Sequence, residues 1–149
     1  MRTKSKDKNN IVIRAYTSND LDACQRIAGQ STDYAHALDE NADAILVAEH
    51  GKDIIGFGFI QIWDWNQTAW LGELIVDKEW RNAGVGGRLL SHLEDEARNR
   101  GCRVTMDHPP SDHPVITFYL ANGYRICGYN DNFYPGEQGS TALFLCKDL

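Results

Sequence analysis

Short runs of apolar residues alternate along the chain with stretches in which apolar residues recur at helical spacing. The short runs are rich in β-branched and aromatic residues, which is typical of buried strands. The longest helical stretch places apolar residues on one face and charged residues on the other. The short runs predict strands at 11–16, 44–49, 54–65, 70–76, 102–106, 124–130 and 141–146. The helical stretches predict helices after 18–20, over much of 32–38, and at 88–100 and 115–121.

In chain order these elements read βααβββαβαββ. This order predicts a single α/β domain over residues 11–149, with a mixed central sheet flanked by helices. The fifth strand follows a strand–loop–helix unit, so we expect it to run parallel to the fourth through a right-handed crossover. Gly56 and Gly58 predict a bend or a close backbone approach in the third strand. The polar residues 1–10 predict a short disordered lead-in.

Composition narrows the class of protein. No apolar run approaches the roughly 20 residues needed to cross a bilayer, and the N-terminus lacks the apolar stretch of a secretory signal. A net charge of −6 argues against nucleic-acid binding and is compatible with a cationic partner such as an amine. The four cysteines form no C-x-x-C pair, which argues against a zinc ribbon. We therefore expect a cytoplasmic protein with reduced thiols, no metal and no membrane partner.

The segment that joins the fourth strand to the longest helix carries the strongest chemical signal. It reads Arg81-Asn82-Ala83-Gly84-Val85-Gly86-Gly87. Its glycines allow backbone N–H groups to converge, the helix N-terminus adds partial positive charge, and Arg81 can pair with phosphate. Leu89 stands where a dinucleotide fingerprint needs glycine, and the Gly-Lys-Ser/Thr of a Walker A loop is absent. The segment predicts an anion site; the alternative is a glycine-rich helix entry that binds no ligand.

Two segments together resemble one protein family. Arg81-x-x-Gly84-x-Gly86, after a strand ending in Val76, resembles the main cofactor motif of the GNAT superfamily of N-acetyltransferases. The sequence FYLANGY at 118–124 resembles the family's F-Y-x-x-x-G-F segment. Lys78 and Asn82 replace the proline and glycine of many members, but main-chain donors do not depend on either side chain. The predicted element order agrees with the family's over about residues 11–149.

The resemblance implies acetyl-CoA as cosubstrate. In GNAT folds the fourth and fifth strands splay apart, the pantetheine arm enters the gap, and the pyrophosphate lies on the glycine loop. The family's asparagine seven positions before its conserved-motif tyrosine corresponds to Asp112, which can accept a hydrogen bond but not donate one. The implied cofactor contacts are Leu74, Ile75, Val76, Arg81, Asn82, Ala83, Gly84, Val85, Gly86, Gly87, Asp112 and Tyr119.

The implied reaction is direct attack of a neutral primary amine on the thioester in a ternary complex. A base must remove the amine proton, and a main-chain N–H of the fourth strand would polarise the thioester carbonyl. Tyr119 matches the family tyrosine near the CoA sulfur and is the candidate acid. Glu73 and Asp107 compete as the base, with Glu73 slightly preferred for its longer reach. Each of the three could instead be an ordinary packed or solvated residue, and the loop histidines His108 and His113 are weaker candidates.

The acceptor is the least specified part of this hypothesis. Trp63, Trp65 and Trp70 surround one predicted hairpin, and residues 133–135 add further aromatic side chains; these could line an acceptor pocket, fill the core or contact a second copy. Residues 132–135 and 142–143 resemble the tail of protein N-terminal acetyltransferases, which favours a peptide or protein amine over a small-molecule amine. Because dimers are common in the family, a homodimer is expected.

Two functions therefore remain open. The leading one is an acetyl-CoA-dependent N-acetyltransferase, which the available acid and bases favour. The alternative is a GNAT-like sensor or partner subunit that binds acyl-CoA without turnover.

Overall fold

The computed structural model describes residues 7–30, 38–135 and 140–149. Its strands are β1 Ile11–Ala15, β2 Ala44–His50, β3 Asp53–Trp63, β4 Thr68–Val76, β5 Val104–Asp107, β6 Arg125–Asn130 and β7 Ala142–Asp148. Over the described residues the α-helices are α1 Leu21–Ala28, α2 Val85–Asn99 and α3 Val115–Ala121. The α/β prediction is confirmed. The helix predicted over much of 32–38 lies, apart from residue 38, outside the described residues.

All seven strands belong to one mixed sheet, in the order β1-β2-β3-β4-β5-β7-β6. β4 and β5 run parallel, as predicted, whereas β7 is antiparallel to both of its neighbours. The parallel ladder starts with Thr68 opposite Val104 and ends with Trp70 opposite Met106, although β4 itself continues to Val76. The ladder ends close to the end of β5 at Asp107, so β4 continues beyond its parallel partner.

Internal contacts divide the chain into two compact units. The first unit contains Met1–Ile60 and Glu73–Leu93, and the second contains Gln61–Gly72 and Glu94–Leu149. β3, β4 and α2 each contribute residues to both. The glycine segment 81–87 therefore belongs to the first unit, while Asp107 and Tyr119 belong to the second.

The first unit is built around the apolar face of α1. Asp20 precedes α1 and accepts a hydrogen bond from the main-chain N–H of Thr17 at 2.8 Å, which closes a capping box on the 3-10 turn Ser18–Asp20 rather than on α1 itself. The helical spacing of Leu21, Cys24 and Ile27 predicts a buried face, and the latter two are fully buried. Their core cluster comprises Cys24, Ile27, Ala28, Val47, Ile54, Phe57, Phe59 and Ile75.

Two glycines let β3 pack closely within the first unit. A methyl group at Gly58 would lie 2.8 Å from Leu93 Cδ1 and 3.0 Å from the Glu73 carbonyl oxygen. At Gly56 it would lie 3.1 Å from the Ile75 carbonyl oxygen. Contacts this short leave no room for a side chain, so the close approach predicted at these glycines is confirmed.

The second unit contains a buried polar network. The hydroxyl groups of Thr105 and Tyr124 are 2.7 Å apart, and Lys147 Nζ donates to Glu94 Oε2 at 2.8 Å. Burial raises the pKa of Tyr124 well above its usual value, so this phenol stays neutral. Because each buried group has a partner, the network holds α2, β5 and β7 together without an unpaired charge.

Several predicted boundaries differ from the structure by one to three residues, and two of these differences have a clear local reason. β3 ends at Trp63 rather than residue 65, because Gln67 adopts φ 55° and its N–H turns back to the Asp64 carbonyl at 3.4 Å. α2 begins at Val85 rather than Arg88, because the Arg88 N–H already closes a helical hydrogen bond on the Gly84 carbonyl at 3.2 Å. The second correction places Gly86 and Gly87 inside the first helical turn.

Candidate active site

Asp77 anchors the start of the glycine segment in the first unit. Its main-chain N–H donates to the Ile55 carbonyl at 2.8 Å, and its carboxylate accepts hydrogen bonds from Arg26 at 2.9 Å and from the Glu79 N–H at 3.0 Å. Burial opposes ionisation of this carboxyl, but the hydrogen bonds outweigh burial and lower the pKa of Asp77. The chain therefore leaves β4 at a fixed point and in a fixed direction.

The glycine segment then turns through two left-handed residues. Asn82 has φ 60° and Gly84 has φ 83°, conformations that favour asparagine and glycine. Gly84 is exposed, and no atom lies within 4 Å of the position that a methyl group would occupy there. α2 starts at the next residue, and the first N–H groups of a helix have no intrahelical acceptor. The segment thus presents main-chain donors and a helix N-terminus beside open space, a geometry that suits an anion.

Arg81 lies at the start of this turn. Its Nε donates to the Val76 carbonyl at 3.2 Å, and the side chain is otherwise exposed. This bond ties the guanidinium to the end of β4, where it adds positive charge next to the main-chain donors. The residues predicted to contact pyrophosphate are therefore contiguous in space as well as in sequence.

The end of β4 holds the residues predicted to contact the pantetheine arm. Ile75 is buried in the first-unit core, whereas Leu74 and Val76 are partly exposed. The ladder with β5 ends at Trp70 and does not reach these residues. Glu73, one of the two candidate bases, is also on this part of β4 and is partly exposed.

Asp107 and Tyr119 meet in the second unit. Asp107 is the last residue of β5, and its Oδ1 accepts the His108 main-chain N–H at 2.7 Å. The Tyr119 hydroxyl, on a side chain only 1% exposed, donates a second hydrogen bond to this carboxylate. Tyr119 is therefore packed in the interior together with its hydroxyl, and its pairing with Asp107 was not predicted.

The surroundings of Asp107 favour its protonated form. Although the residue keeps some exposed surface, the atoms packed around its carboxyl remove most of its hydration, and this raises its pKa. The hydrogen bonds from Tyr119 and His108, and the nearby imidazoles of His108 and His113, oppose that rise without cancelling it. A carboxylate of raised pKa is a better proton acceptor than an ordinary aspartate.

The segment between β5 and α3 carries the other predicted residues. The proline pair of this segment lies alongside the start of β7, because the Leu143 N–H donates to the Pro109 carbonyl at 3.0 Å. His113 Nδ1 accepts the Val115 N–H at 3.0 Å and so caps α3. Asp112 is exposed in the preceding turn, and its contact with the pantetheine arm stays a prediction.

Aromatic rings from four segments form a continuous row in the second unit. Ring centroids are 5.0 Å apart for Trp63 and Trp70, 5.3 Å for Trp70 and His108, and 4.7 Å for His108 and Phe133. The Tyr134 hydroxyl donates to the His108 carbonyl at 2.5 Å and lies 3.1 Å from His108 Nδ1. We call these five residues the aromatic row.

The sequence predicted the row only in part. Trp65 is 80% exposed in the turn after β3 and makes no ring contact among the described residues, so it lies outside the row and does not fill the core. His108, which links the tryptophans to Phe133, was considered only as a titrating group. Its position directly after the end of β5 was the available signal.

Two further properties of the described residues bear on function. They contain no group of three or more His, Cys, Asp or Glu side chains that could hold a metal ion. None of the helices in the described ranges has the length and apolar character needed to span a membrane.

Curated relatives of this chain carry acetyltransferase names. Streptothricin acetyltransferase of Streptomyces lavendulae is 27% identical over 116 residues, which cover 76% of this chain and 61% of that protein. An uncharacterized N-acetyltransferase of Methanocaldococcus jannaschii is 28% identical over 146 residues, which cover 92% of this chain and 91% of that protein. The chain thus spans about three fifths of the first relative and nearly all of the second.

Solved structures share the fold of this chain. The ribosomal-protein-S18-alanine N-acetyltransferase of Escherichia coli superimposes with a TM-score of 0.78 at 20% identity, over 93% of each chain. A putative streptothricin acetyltransferase of Bacillus anthracis, solved in complex with acetyl coenzyme A, gives 0.77 at 22% identity, over 93% of this chain and 97% of that one. These likenesses establish the fold.

The family itself follows from the sequence profile together with this fold. The profile of the acetyltransferase (GNAT) family matches residues 9–124, which include the glycine segment, Asp107 and Tyr119. This chain belongs to the acetyltransferase (GNAT) family.

Proposed function

We propose that this protein is an N-acetyltransferase that moves the acetyl group of acetyl-CoA to a primary amine by direct attack in a ternary complex. One observation carries the proposal: the glycine segment of a GNAT-family chain turns through Asn82 and Gly84 at positive φ into the N-terminus of α2, beside Arg81. That geometry suits a pyrophosphate. The names of the relatives support the same activity.

The residues at the end of β4 and in the glycine segment fit CoA by their chemistry. The main-chain N–H groups of residues 82–87 and the Arg81 guanidinium would hold the two phosphates. The main chain of Leu74, Ile75 and Val76 would pair with the amide groups of the pantetheine arm. When bound, acetyl-CoA supplies an acetyl group activated as a thioester; the protein supplies orientation and proton transfer.

Asp107 is our preferred base. Its raised pKa suits it to take a proton from the attacking amine. Tyr119 would then donate its hydroxyl proton to the leaving sulfur. Because Tyr119 is hydrogen-bonded to Asp107, the proton on Asp107 can return to the phenolate. The net result moves one proton from nitrogen to sulfur and restores both side chains.

The acceptor in this proposal is a primary amine on a small molecule, a peptide or a protein. The names of the relatives include both kinds, an antibiotic acetyltransferase and a ribosomal-protein alanine acetyltransferase. An acidic chain with net charge −6 attracts cationic amines of either kind. A homodimer remains our expectation for its assembly.

Calorimetry and a turnover assay test the proposal together. We expect titration of the protein with CoA to release heat at a stoichiometry of one, and free thiol to appear when acetyl-CoA and amines are supplied. The amine panel should contain a polyamine, an aminoglycoside and peptides with free N-termini. CoA binding without thiol release for any amine would identify the non-catalytic sensor; absence of CoA binding by folded protein would refute both functions.

A further inference from the structure

Two of the four cysteines lie side by side on the last two strands of the second unit. Cys127 is on β6 and Cys146 is on β7, and both are free thiols. A hydrogen bond joins the two thiol groups. Because no C-x-x-C spacing links these cysteines, only strand pairing brings their sulfur atoms together. An accessible cysteine with a second cysteine beside it is the usual arrangement of a redox-sensing thiol pair.

Cys127 is the extra residue of a β-bulge. Ile126 lies opposite Leu145. The next ladder pair is Gly128 and Phe144, so two steps along β6 match one step along β7. The extra residue of a bulge is not held by the ladder hydrogen bonds of its strand pair. The main chain at Cys127 can therefore adjust, and sulfur atoms in hydrogen-bond contact need such an adjustment to reach the geometry of a disulfide.

A cation lies beside both thiols. Arg125 is directly opposite Cys146 in the strand pair, and its guanidinium interacts electrostatically with the sulfur atoms of both cysteines. Asp148 contacts Arg125 at 3.3 Å and partly offsets the effect of this cation on Cys146. A nearby cation stabilises the thiolate, which is the form of cysteine that attacks a disulfide.

Accessibility sets the order in which the two thiols react. Cys127 is exposed, whereas Cys146 is only 5% exposed, so a disulfide in solution reaches Cys127 first. Burial, followed by the contact with Cys127, raises the pKa of Cys146 to about 11. Once Cys127 is bonded to another sulfur atom it can no longer carry a charge, so one cause of the raised pKa of Cys146 disappears. Cys146 then becomes a better nucleophile next to the mixed disulfide.

We propose that Cys127 and Cys146 form a reversible redox modification site whose substrate is a small-molecule disulfide such as glutathione disulfide. The Cys127 thiolate attacks one sulfur of that disulfide, which releases one small thiolate and leaves a mixed disulfide on Cys127. Cys146 then loses its proton and attacks the Cys127 sulfur, which releases the second small thiolate. The protein loses two electrons and two protons, and the small disulfide gains them as two thiols. This site is separate from the proposed acetyl transfer and needs neither acetyl-CoA nor an amine.

Mass spectrometry of the folded protein tests the site. We expect glutathione disulfide to remove two hydrogen atoms from the wild type without leaving glutathione attached, and peptide mapping to show Cys127 linked to Cys146. Dithiothreitol should restore both thiols. Cys102 is buried in the same unit and supplies the control, because Cys102→Ser should be oxidised like the wild type.

Two further variants separate the two steps. Cys146→Ser should stop after the first step and keep one glutathionyl group on Cys127. Cys127→Ser should slow the modification of Cys146 about tenfold or more, because a buried thiol is poorly accessible. A lasting glutathionyl group on Cys127 of the wild type, a disulfide with another cysteine or with a second copy of the chain, or no reaction would each overturn the proposal. Peptide mapping of the wild type alone distinguishes these results, even if Cys146→Ser does not fold.

Discussion

The glycine segment of the first unit and the Asp107–Tyr119 region of the second are made in different ways. The glycine segment presents main-chain N–H groups from consecutive residues. Asp77 anchors the start of this segment, and the positive φ of Gly84 turns it toward α2. The second joins side chains from segments far apart in the sequence, as in the contact of Tyr119 with Asp107. Binding that depends on the backbone tolerates many side chains, whereas proton transfer and acceptor choice depend on individual side chains. Substitutions in the two regions should therefore have different kinetic signatures.

The largest expected effect is on kcat and belongs to the second unit. Asp107→Asn removes the proposed base and should lower kcat about 1,000-fold, within the usual range for a general base. The acidic limb of the pH–rate profile should disappear with it, because that limb reports deprotonation of the raised-pKa carboxyl. Glu73→Gln is the matched control and should change kcat less than about threefold. The reverse pattern would make Glu73 the base.

Asp107→Asn should raise the stability of the folded protein although it lowers kcat. Because the pKa of Asp107 is raised in the folded protein, the folded state binds more protons than the unfolded state between the two pKa values, and the ionised group costs stability above them. Asp107→Asn should therefore melt at a higher temperature than the wild type at pH 7. The difference should shrink as pH falls toward 4; a melting point lower than wild type at both pH values would contradict this account.

The next effect is on CoA affinity and belongs to the first unit. Gly84→Asp places a carboxylate and a strained backbone at the expected phosphate position, and should weaken CoA binding about 100-fold in calorimetry. Gly101 is a close match for Gly84: its φ is 81°, its surroundings are equally open, and it lies past the other end of α2. Gly101→Asp should bind CoA like the wild type. Equal losses in both variants would mean that backbone strain, not phosphate contact, explains the result.

A smaller effect on kcat should separate Tyr119 from its buried neighbour. Tyr119→Phe removes the proposed acid, but a thiolate leaves more readily than most groups, so we expect a loss of about 30-fold in kcat with unchanged CoA affinity. Tyr124 is also buried, with its ring centroid 5.0 Å from that of Tyr119, and its hydroxyl contacts Thr105 instead. Tyr124→Phe should lower stability and leave kcat within about twofold. Normal turnover in Tyr119→Phe would remove this hydroxyl from the mechanism.

The smallest effect concerns the anchor of the glycine segment. Asp77→Asn keeps the shape but weakens the charged hydrogen bond from Arg26, and should cost about 1 kcal/mol at pH 7, a modest value because Arg26 is half exposed. The folded pKa of Asp77 is lowered, so the wild-type advantage should persist above the ordinary carboxyl pKa and fade as pH falls through the folded value. Urea titrations at pH 7 and pH 3 measure both; a gap of equal size at the two pH values would contradict the role of the ionised group.

The fold and the glycine segment could be predicted because their signals are local. The spacing of Leu89 and Leu93 predicts the buried face of α2. The glycines at 56 and 58 indicate that another segment packs closely against the backbone of β3. The start of α2 was misplaced by three residues because glycines argue against a helix by propensity, while Gly86 and Gly87 lie in a first turn that tolerates them.

The second-unit contacts could not be predicted in the same way. Nothing near Tyr119 in the sequence specifies Asp107 as its partner, since the two residues are brought together only when α3 packs beside the end of β5. The aromatic row is a similar case: Trp65 and Trp70 are equally aromatic in the sequence, and only the turn at Gln67 decides which of them faces the row. Side-chain partners chosen by tertiary packing leave little trace in a single sequence.

The early end of the β4–β5 ladder bears on the tendency of this protein to aggregate through unpaired strand backbone. Unpaired strand edges normally lie at the margins of a sheet, where they can pair with another molecule and start aggregation. Here β4 loses its parallel partner in the middle of the strand order, with three strands on one side and three on the other. The part of β4 beyond the ladder therefore belongs to an interior strand of the order and not to a margin of the sheet, where such pairing would start.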